Sequence, residues 1–200
     1  MRTPEFSITI TDPEEETVEK AVSLLLAGGV VIYPSDTVYG MLCRADDRVA
    51  VERLAKIKGY EKPRAFILIV DGLEMAGNLT SGIDPEVMEI LKLRWPGKLT
   101  VVLPSGDGCP IWVRGEDNTV ALRHPADPLS GQLLKRCGVP LVSTSANHAG
   151  EDAQLSIKDI PESIIAASDI VLNAGDLPPS SPSTIIRLIR GSQGGNQGRT

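Results

Sequence analysis

Two hundred residues suffice for one domain with a substantial core, and 42% apolar with 23% charged residues is the balance of an ordinary globular chain. A net charge of −6 argues against a surface that binds polyanions everywhere, while leaving room for a local basic pocket. Three cysteines (Cys43, Cys109, Cys137), odd in number and far apart, give neither a disulfide framework nor a zinc knuckle and point to a reducing compartment.

Glu14, Glu15 and Glu16 stand where a signal peptide would need an apolar centre, and no apolar run reaches membrane-spanning length. The expectation is a cytoplasmic protein with no membrane partner. In chain order, Phe6–Ile10 alternates and predicts a strand at a sheet edge. Asp12 as N-cap, Pro13 at the first helical position and acids in the first turn predict a helix that Gly28 and Gly29 end. "VVIY" then predicts a fully buried strand, and "YPSDTVYGM" (Tyr33 to Met41) a polar loop at its mouth.

A second helix is expected from Arg48 to Lys58, capped by Asp46 or Asp47, followed by strand "AFILIV". Further on come a helix near Pro85–Leu93, strands "LTVVL" and "TVALR", and a helix near Pro128–Cys137. "PLVSTS", "DIVLN" and "STIIRLI" predict three more strands. Helices alternate with short apolar strands, some directly consecutive. The fold class is α/β: a single twisted mixed sheet with flanking helices, one domain over 1–190. The Gly/Gln-rich stretch 191–200 has nothing to bury and is expected to be a disordered tail.

Several chemistries are missing from the sequence. "PGKLT" carries Leu99 where a P-loop needs its Mg²⁺-binding hydroxyl, and no GxGxxG occurs. Two histidines, His124 and His148, are too few for an imidazole metal site. A serine hydrolase would need one of them beside Ser143 or Ser145, and no GxSxG surrounds either serine.

What remains is four polar clusters at the ends of apparent buried strands: "PSDTVYG", "RHPAD", "STSAN" and "SPST". Taken singly, each reads as an ordinary turn or helix cap. Taken together they point to one cleft at the strand ends. Between Arg44 and Arg64, seven Lys/Arg face four acids, a local excess of three positive charges. Lys56 and Lys58 suit a helix C-terminus, and the segment also reads as a phosphate-binding edge, with Gly59 allowing close approach.

In order, "YPSDTVYGM", "AKIKGYEKPRAFILIV", "RWPGKLTVVLP", "VALRHPADP", "VPLVSTSANHAG" and "SPSTII" resemble the blocks of the YrdC-like family. These are the threonylcarbamoyl-AMP synthases that begin tRNA threonylcarbamoylation. The resemblance runs from about Thr17 to Leu188. It implies a twisted sheet around a large concave cavity, and substrates ATP, L-threonine and bicarbonate, with Mg²⁺ accompanying ATP. It also implies a downstream transferase that modifies tRNA. Carried over by position, Ser35, Thr37, Arg123, Ser145 and Ser183 would bind threonine, Arg123 by a bidentate pair with its carboxylate. Lys58, Arg64, Thr119, Asn147 and Arg190 would bind the nucleotide, with Lys58 neutralising phosphate charge. No protein nucleophile and no metal-ligating side chain are implied. Asp36 reads as a loop-bracing acceptor and Tyr39 as packing. One departure stands out: the arginine of the family's Lys-x-Arg element is Tyr60 here. Arg64 is the nearby candidate for the missing charge. Tyr60 also sustains the alternative, a YciO-like nucleotide- or RNA-binding protein of the same fold with lost or altered catalysis.

Overall fold

A computed structural model describes residues 3–61, 65–180 and 183–187. The first half contains β1 (Glu5–Ser7), α1 (Glu15–Leu26), β2 (Val31–Pro34), β3 (Tyr39–Arg44), α2 (Arg48–Ile57), β4 (Ile67–Ile69), α3 (Leu73–Leu79) and α4 (Pro85–Arg94). The second half contains β5 (Leu99–Pro104), β6 (Thr119–Arg123), α5 (Pro128–Cys137), β7 (Leu141–Ser145), α6 (Glu162–Ala167), β8 (Ile170–Asn173) and β9 (Thr184–Arg187). All nine strands join one sheet in the order β1-β8-β2-β3-β7-β4-β6-β5-β9. Parallel pairs (β1/β8, β2/β8, β4/β6, β5/β9) mix with antiparallel ones, so the sheet is mixed, as expected. β1 lies at one edge.

Local chemistry sets most boundaries. Asp47 caps α2, its carboxylate accepting from the backbone N–H of Val49 and Ala50. Asp127 caps α5 in the same way through Ser130 N–H, and Gly138 closes that helix in the left-handed region at φ 67°. The start of α1 needs correcting. Asp12 and Pro13 lie outside the helix; Glu14 holds the N-cap position and turns its carboxylate back to Thr9 N–H at 3.1 Å and Thr9 Oγ1 at 3.2 Å. At its other end Gly28 takes φ 83° and Gly29 N–H returns to Leu24 O, as the glycine pair implied.

The block from Tyr33 to Met41 also needs correcting. It is a hairpin, in which β2 runs through Tyr33 and Pro34, a tight turn follows, and β3 begins at Tyr39. Helices α3 and α6, with seven and six residues, were not anticipated.

Helices cover both faces of the sheet. On one side α1 and α5 bury Val18, Leu25, Leu129 and Leu133 against Val31, Leu42, Ile69 and Leu141. On the other, α2, α3, α4 and α6 pack against Ile32, Met41, Cys43, Leu68 and Val142. The two sets alternate along β2, β3, β4 and β7, as a strand period of two requires. On the α1/α5 face that same alternation continues past the apolar residues into Tyr33, Gly40, Ile67, Ser143 and Ser145. There the apolar contacts with α1 and α5 give way to a hollow. Among the described residues, no helix is long and apolar enough to cross a membrane.

Candidate functional site

A cavity of about 630 Å³ opens on this face. Its floor is the far end of β2, β3, β4, β6 and β7, and its rim carries the β2–β3 turn and the segment that leads into β9. β7 shows how the sequence makes it. Leu141 packs beneath the helices, whereas Ser143 and Ser145, two and four residues on, face the hollow with hydroxyls. Gly40, opposite Ser145 across β3 and β7, leaves room for the Tyr33 ring; a Cβ there would lie 2.8 Å from Tyr33 Cε1. Tyr33 OH in turn shares a hydrogen bond with Ser143 Oγ at 3.0 Å. Burial and the nearby Asp127 carboxylate push the Tyr33 phenol well above its ordinary range.

Five residues expected at the threonine pocket, Ser35, Thr37, Arg123, Ser145 and Ser183, all line this cavity. Ser35 Oγ accepts from the N–H groups of Thr37 and Val38 and donates to Val38 O, so its hydroxyl holds the turn in shape. Ser183 Oγ meets the buried Thr100 hydroxyl at 3.1 Å. Arg123 is 8% exposed and donates through Nη2 to both oxygens of Asp36, at 2.7 and 2.6 Å, and through Nε to Gly97 O at 3.1 Å. Asp36, expected to brace the loop, therefore has a different partner from across the cavity. As placed, the guanidinium offers a ligand its Nη1 group; gripping a carboxylate with Nε and Nη2 would require releasing Asp36 and Gly97.

Lys58 follows α2 and is buried. Its Nζ donates to Ser145 O at 2.9 Å and Asn147 Oδ1 at 3.0 Å, with Ser145 Oγ at 3.4 Å. Asn147 Nδ2 donates onward to the carbonyls of His148 and Glu151. The lysine is thus tied to the "STSAN" segment. Its hydrogen-bond partners are neutral oxygens. Burial pulls its pKa from 10.5 down to about 8, with the Glu151 carboxylate opposing the shift.

The rest of the basic segment behaves differently. Arg44 pairs with Asp46, Arg48 with Glu52, and Arg53 with Asp169. These three charges are compensated locally, while Lys56 is exposed in the last turn of α2 and Lys58 is buried just beyond it. Thr119 does not line the cavity: it sits four residues up β6 from Arg123, about 13 Å along the strand, and donates to Asp117. Arg64 and Arg190 lie outside the described residues, as does the stretch 191–200. Tyr60 lines the cavity, with its ring 6.2 Å from that of Phe66. His148 Nε2 bonds Ser163 Oγ rather than Ser143 or Ser145, which removes the arrangement a serine hydrolase would need. Tyr39 packs as expected but also uses its hydroxyl, donating to Gly175 O and accepting from Ala174 N–H. Sequence reasoning missed the cavity roles of Tyr33 and Ser143. The alternation of Ser143 with Ser145 was the available signal.

With this geometry in view, comparison with known proteins is decisive. The Sua5/YciO/YrdC family model, described as telomere recombination, matches residues 23–195. The chain belongs to the Sua5/YciO/YrdC family. A threonylcarbamoyl-AMP synthase of Coxiella burnetii is 34% identical over 176 residues, spanning 88% of this chain and 94% of that protein. One from Methylobacillus flagellatus is 33% identical over 168 residues, spanning 84% and 93%. P. abyssi Sua5, solved in complex with L-threonine, superposes with a TM-score of 0.85 at 28% identity over 93% of this chain. The chain spans 54% of that longer protein. E. coli YciO superposes with a TM-score of 0.83 at 26% identity, covering 93% of this chain and 90% of its own. The Sua5/YciO/YrdC architecture thus accounts for the mixed sheet and its flanking helices.

Proposed function

We propose that this chain is a threonylcarbamoyl-AMP synthase. It would make threonylcarbamoyl-AMP and pyrophosphate from L-threonine, bicarbonate and ATP, as a nucleotidyltransferase. The observation that carries this reading is the convergence of Ser35, Thr37, Arg123, Ser145 and Ser183 on one cavity, with Lys58 and Asn147 buried behind Ser145. The curated relatives that bear this name cover nearly their whole length with this chain.

The chemistry suits such a wall. The neutral amine of threonine and bicarbonate give an N-carboxylate with loss of water. An oxygen of that carboxylate attacks the α-phosphorus of ATP; the bond from that phosphorus to the bridging oxygen breaks, and pyrophosphate leaves. This displacement needs two anions held in line and their charge offset, rather than a protein nucleophile. Arg123 would hold the amino-acid carboxylate and Lys58 would meet the triphosphate, exchanging neutral partners for a charged one. Asp36 is the one carboxylate among the described cavity-lining residues, and it is already paired with Arg123. Mg²⁺ therefore fits on the phosphates of the incoming ATP, where it would offset their charge, rather than on a protein cage.

In this reading the product passes to a tRNA-modifying transferase in the cytoplasm. Incubation with ¹³C-bicarbonate tests the reaction: the label should appear in a product with the mass of threonylcarbamoyl-AMP, and only when ATP and L-threonine are both present. Absence of that product would sink the assignment. Tyr60 on the cavity wall favours a second reading, a nucleotide- or RNA-binding relative with altered catalysis. The local pairing of Arg44, Arg48 and Arg53 weighs against its RNA version.

A further inference from the structure

The Asp36–Arg123 pair carries more than the positioning of one guanidinium. Among the described residues that line the cavity there is one carboxylate and one fixed cation, and they touch. Both are largely shielded from water, with 15% and 10% of their side-chain surface exposed. An ionised carboxylate has about four acceptor directions. Arg123 Nη2 takes two of them, so Asp36 retains acceptor capacity while its neighbour retains Nη1. The site thus presents a paired minus and plus, each with hydrogen-bonding capacity to spare.

Asp36 is also held firmly. The turn that carries it is closed by Ser35 Oγ on both sides, and its carbonyl oxygen lies 3.4 Å from Ser180 Oγ. A small ligand with opposite charges one carbon apart matches this arrangement, and an α-amino acid zwitterion is that ligand. An anion with no amino group would satisfy Arg123 and leave its remaining face against Asp36 unpaired.

We infer that Asp36 is a specificity-determining residue that reads the α-amino group of the substrate while Arg123 reads its carboxylate. The inference rests on the cavity being the threonine site, and it names the feature of threonine that the site selects. The bound ammonium gives up one proton to solvent before it attacks bicarbonate, and the N–H left on the N-carboxylate can still donate to Asp36, so the contact persists into the adenylation step. A purely bracing Asp36 would weaken every carboxylate ligand alike when replaced, because it would act through Arg123.

The test is titration calorimetry with L-threonine and with 3-hydroxybutyrate, which is threonine without its amino group, on wild type and Asp36→Asn. Asparagine keeps an acceptor oxygen for Arg123 but loses the charge. Wild type should prefer L-threonine, and Asp36→Asn should weaken L-threonine roughly 10- to 100-fold, the worth of a hydrogen bond to a charged group. The same change should leave 3-hydroxybutyrate within about threefold, because it makes no such bond. Equal weakening of both ligands would overturn the inference. So would equal binding of both by wild type, a comparison that stands even if the variant fails to fold. Failure of L-threonine to bind wild type at all, with or without ATP, would instead remove the underlying reading, and this inference with it.

Discussion

Arg123 in the cavity wall and Lys58 behind Ser145 are both buried and yet are built on opposite principles. Arg123 faces a carboxylate, and its charge is compensated before any ligand arrives. Lys58 is held by a carbonyl, a hydroxyl and an amide oxygen, and pays for burial with a depressed pKa. A compensated cation beside its partner suits a ligand that brings both signs. An uncompensated one is stabilised most by a ligand that brings only negative charge. Under the proposed function, that contrast suits the amino acid at Arg123 and the triphosphate at Lys58.

The largest expected effect comes from breaking the compensated pair. Arg123→Ala leaves the Asp36 carboxylate without its partner, which should destabilise the fold by about 3–5 kcal/mol. Thermal melting should show a drop of roughly 6–20 °C, and L-threonine binding should disappear. An unchanged melting temperature would mean that Asp36 is well solvated and that the contrast is overstated.

Next in size is Gly40→Ala, which tests the wall that both ends share. The added methyl would meet Tyr33 Cε1 at 2.8 Å and Thr144 O at 3.1 Å, and the latter cannot swing away. A loss of about 1–3 kcal/mol in urea denaturation is expected, together with weaker threonine binding. Tyr60→Arg adds a cation to the cavity wall, restoring the charge of the family's Lys-x-Arg element. It should raise kcat/KM for ATP by roughly tenfold while leaving the KM for threonine unchanged. A threonine effect without an ATP effect would place Tyr60 at the wrong end.

The smallest signal is a proton. Because the pKa of Lys58 is lowered to about 8 from 10.5, the folded chain loses this proton while the unfolded chain still holds it. Between these two values the unfolded state binds more protons, so this group makes stability rise with pH. Below about 8 the lysine is charged in both states and contributes no slope. Bound triphosphate reverses the shift by favouring the ammonium form. At pH 8.5, ATP binding should therefore take up roughly half a proton or more. Calorimetry in two buffers of different ionisation enthalpy measures this, and Lys58→Met should abolish it.

Much of this molecule was legible from residue order. Asp47 and the Gly28–Gly29 pair mark helix ends by side-chain or backbone chemistry that acts within a few residues. The cavity was legible as polar clusters at strand ends, because hydroxyls that interrupt a buried strand need a reason. β3 was not legible, since it starts inside a polar block and is buried on both faces, which erases the alternation a half-buried strand would show. Helices α3 and α6 are too short to display a helical period. The ion pair was the hardest to see. Asp36 and Arg123 are 87 residues apart, and only the neighbouring arrangement of β7, β4 and β6 beside the β2–β3 hairpin brings them together. The basic segment misled for the same reason, because Asp169, the partner of Arg53, lies 116 residues away.

The central claim is that both ends of this cavity serve one adenylation reaction. The most direct test is pyrophosphate release from ATP with L-threonine and bicarbonate, each omitted in turn, for wild type and Lys58→Ala. The account predicts release that requires all three substrates and falls at least tenfold in the variant, the scale of a lost charge-assisted phosphate contact. Release that ignores threonine, or a Lys58→Ala enzyme as fast as wild type, would contradict it.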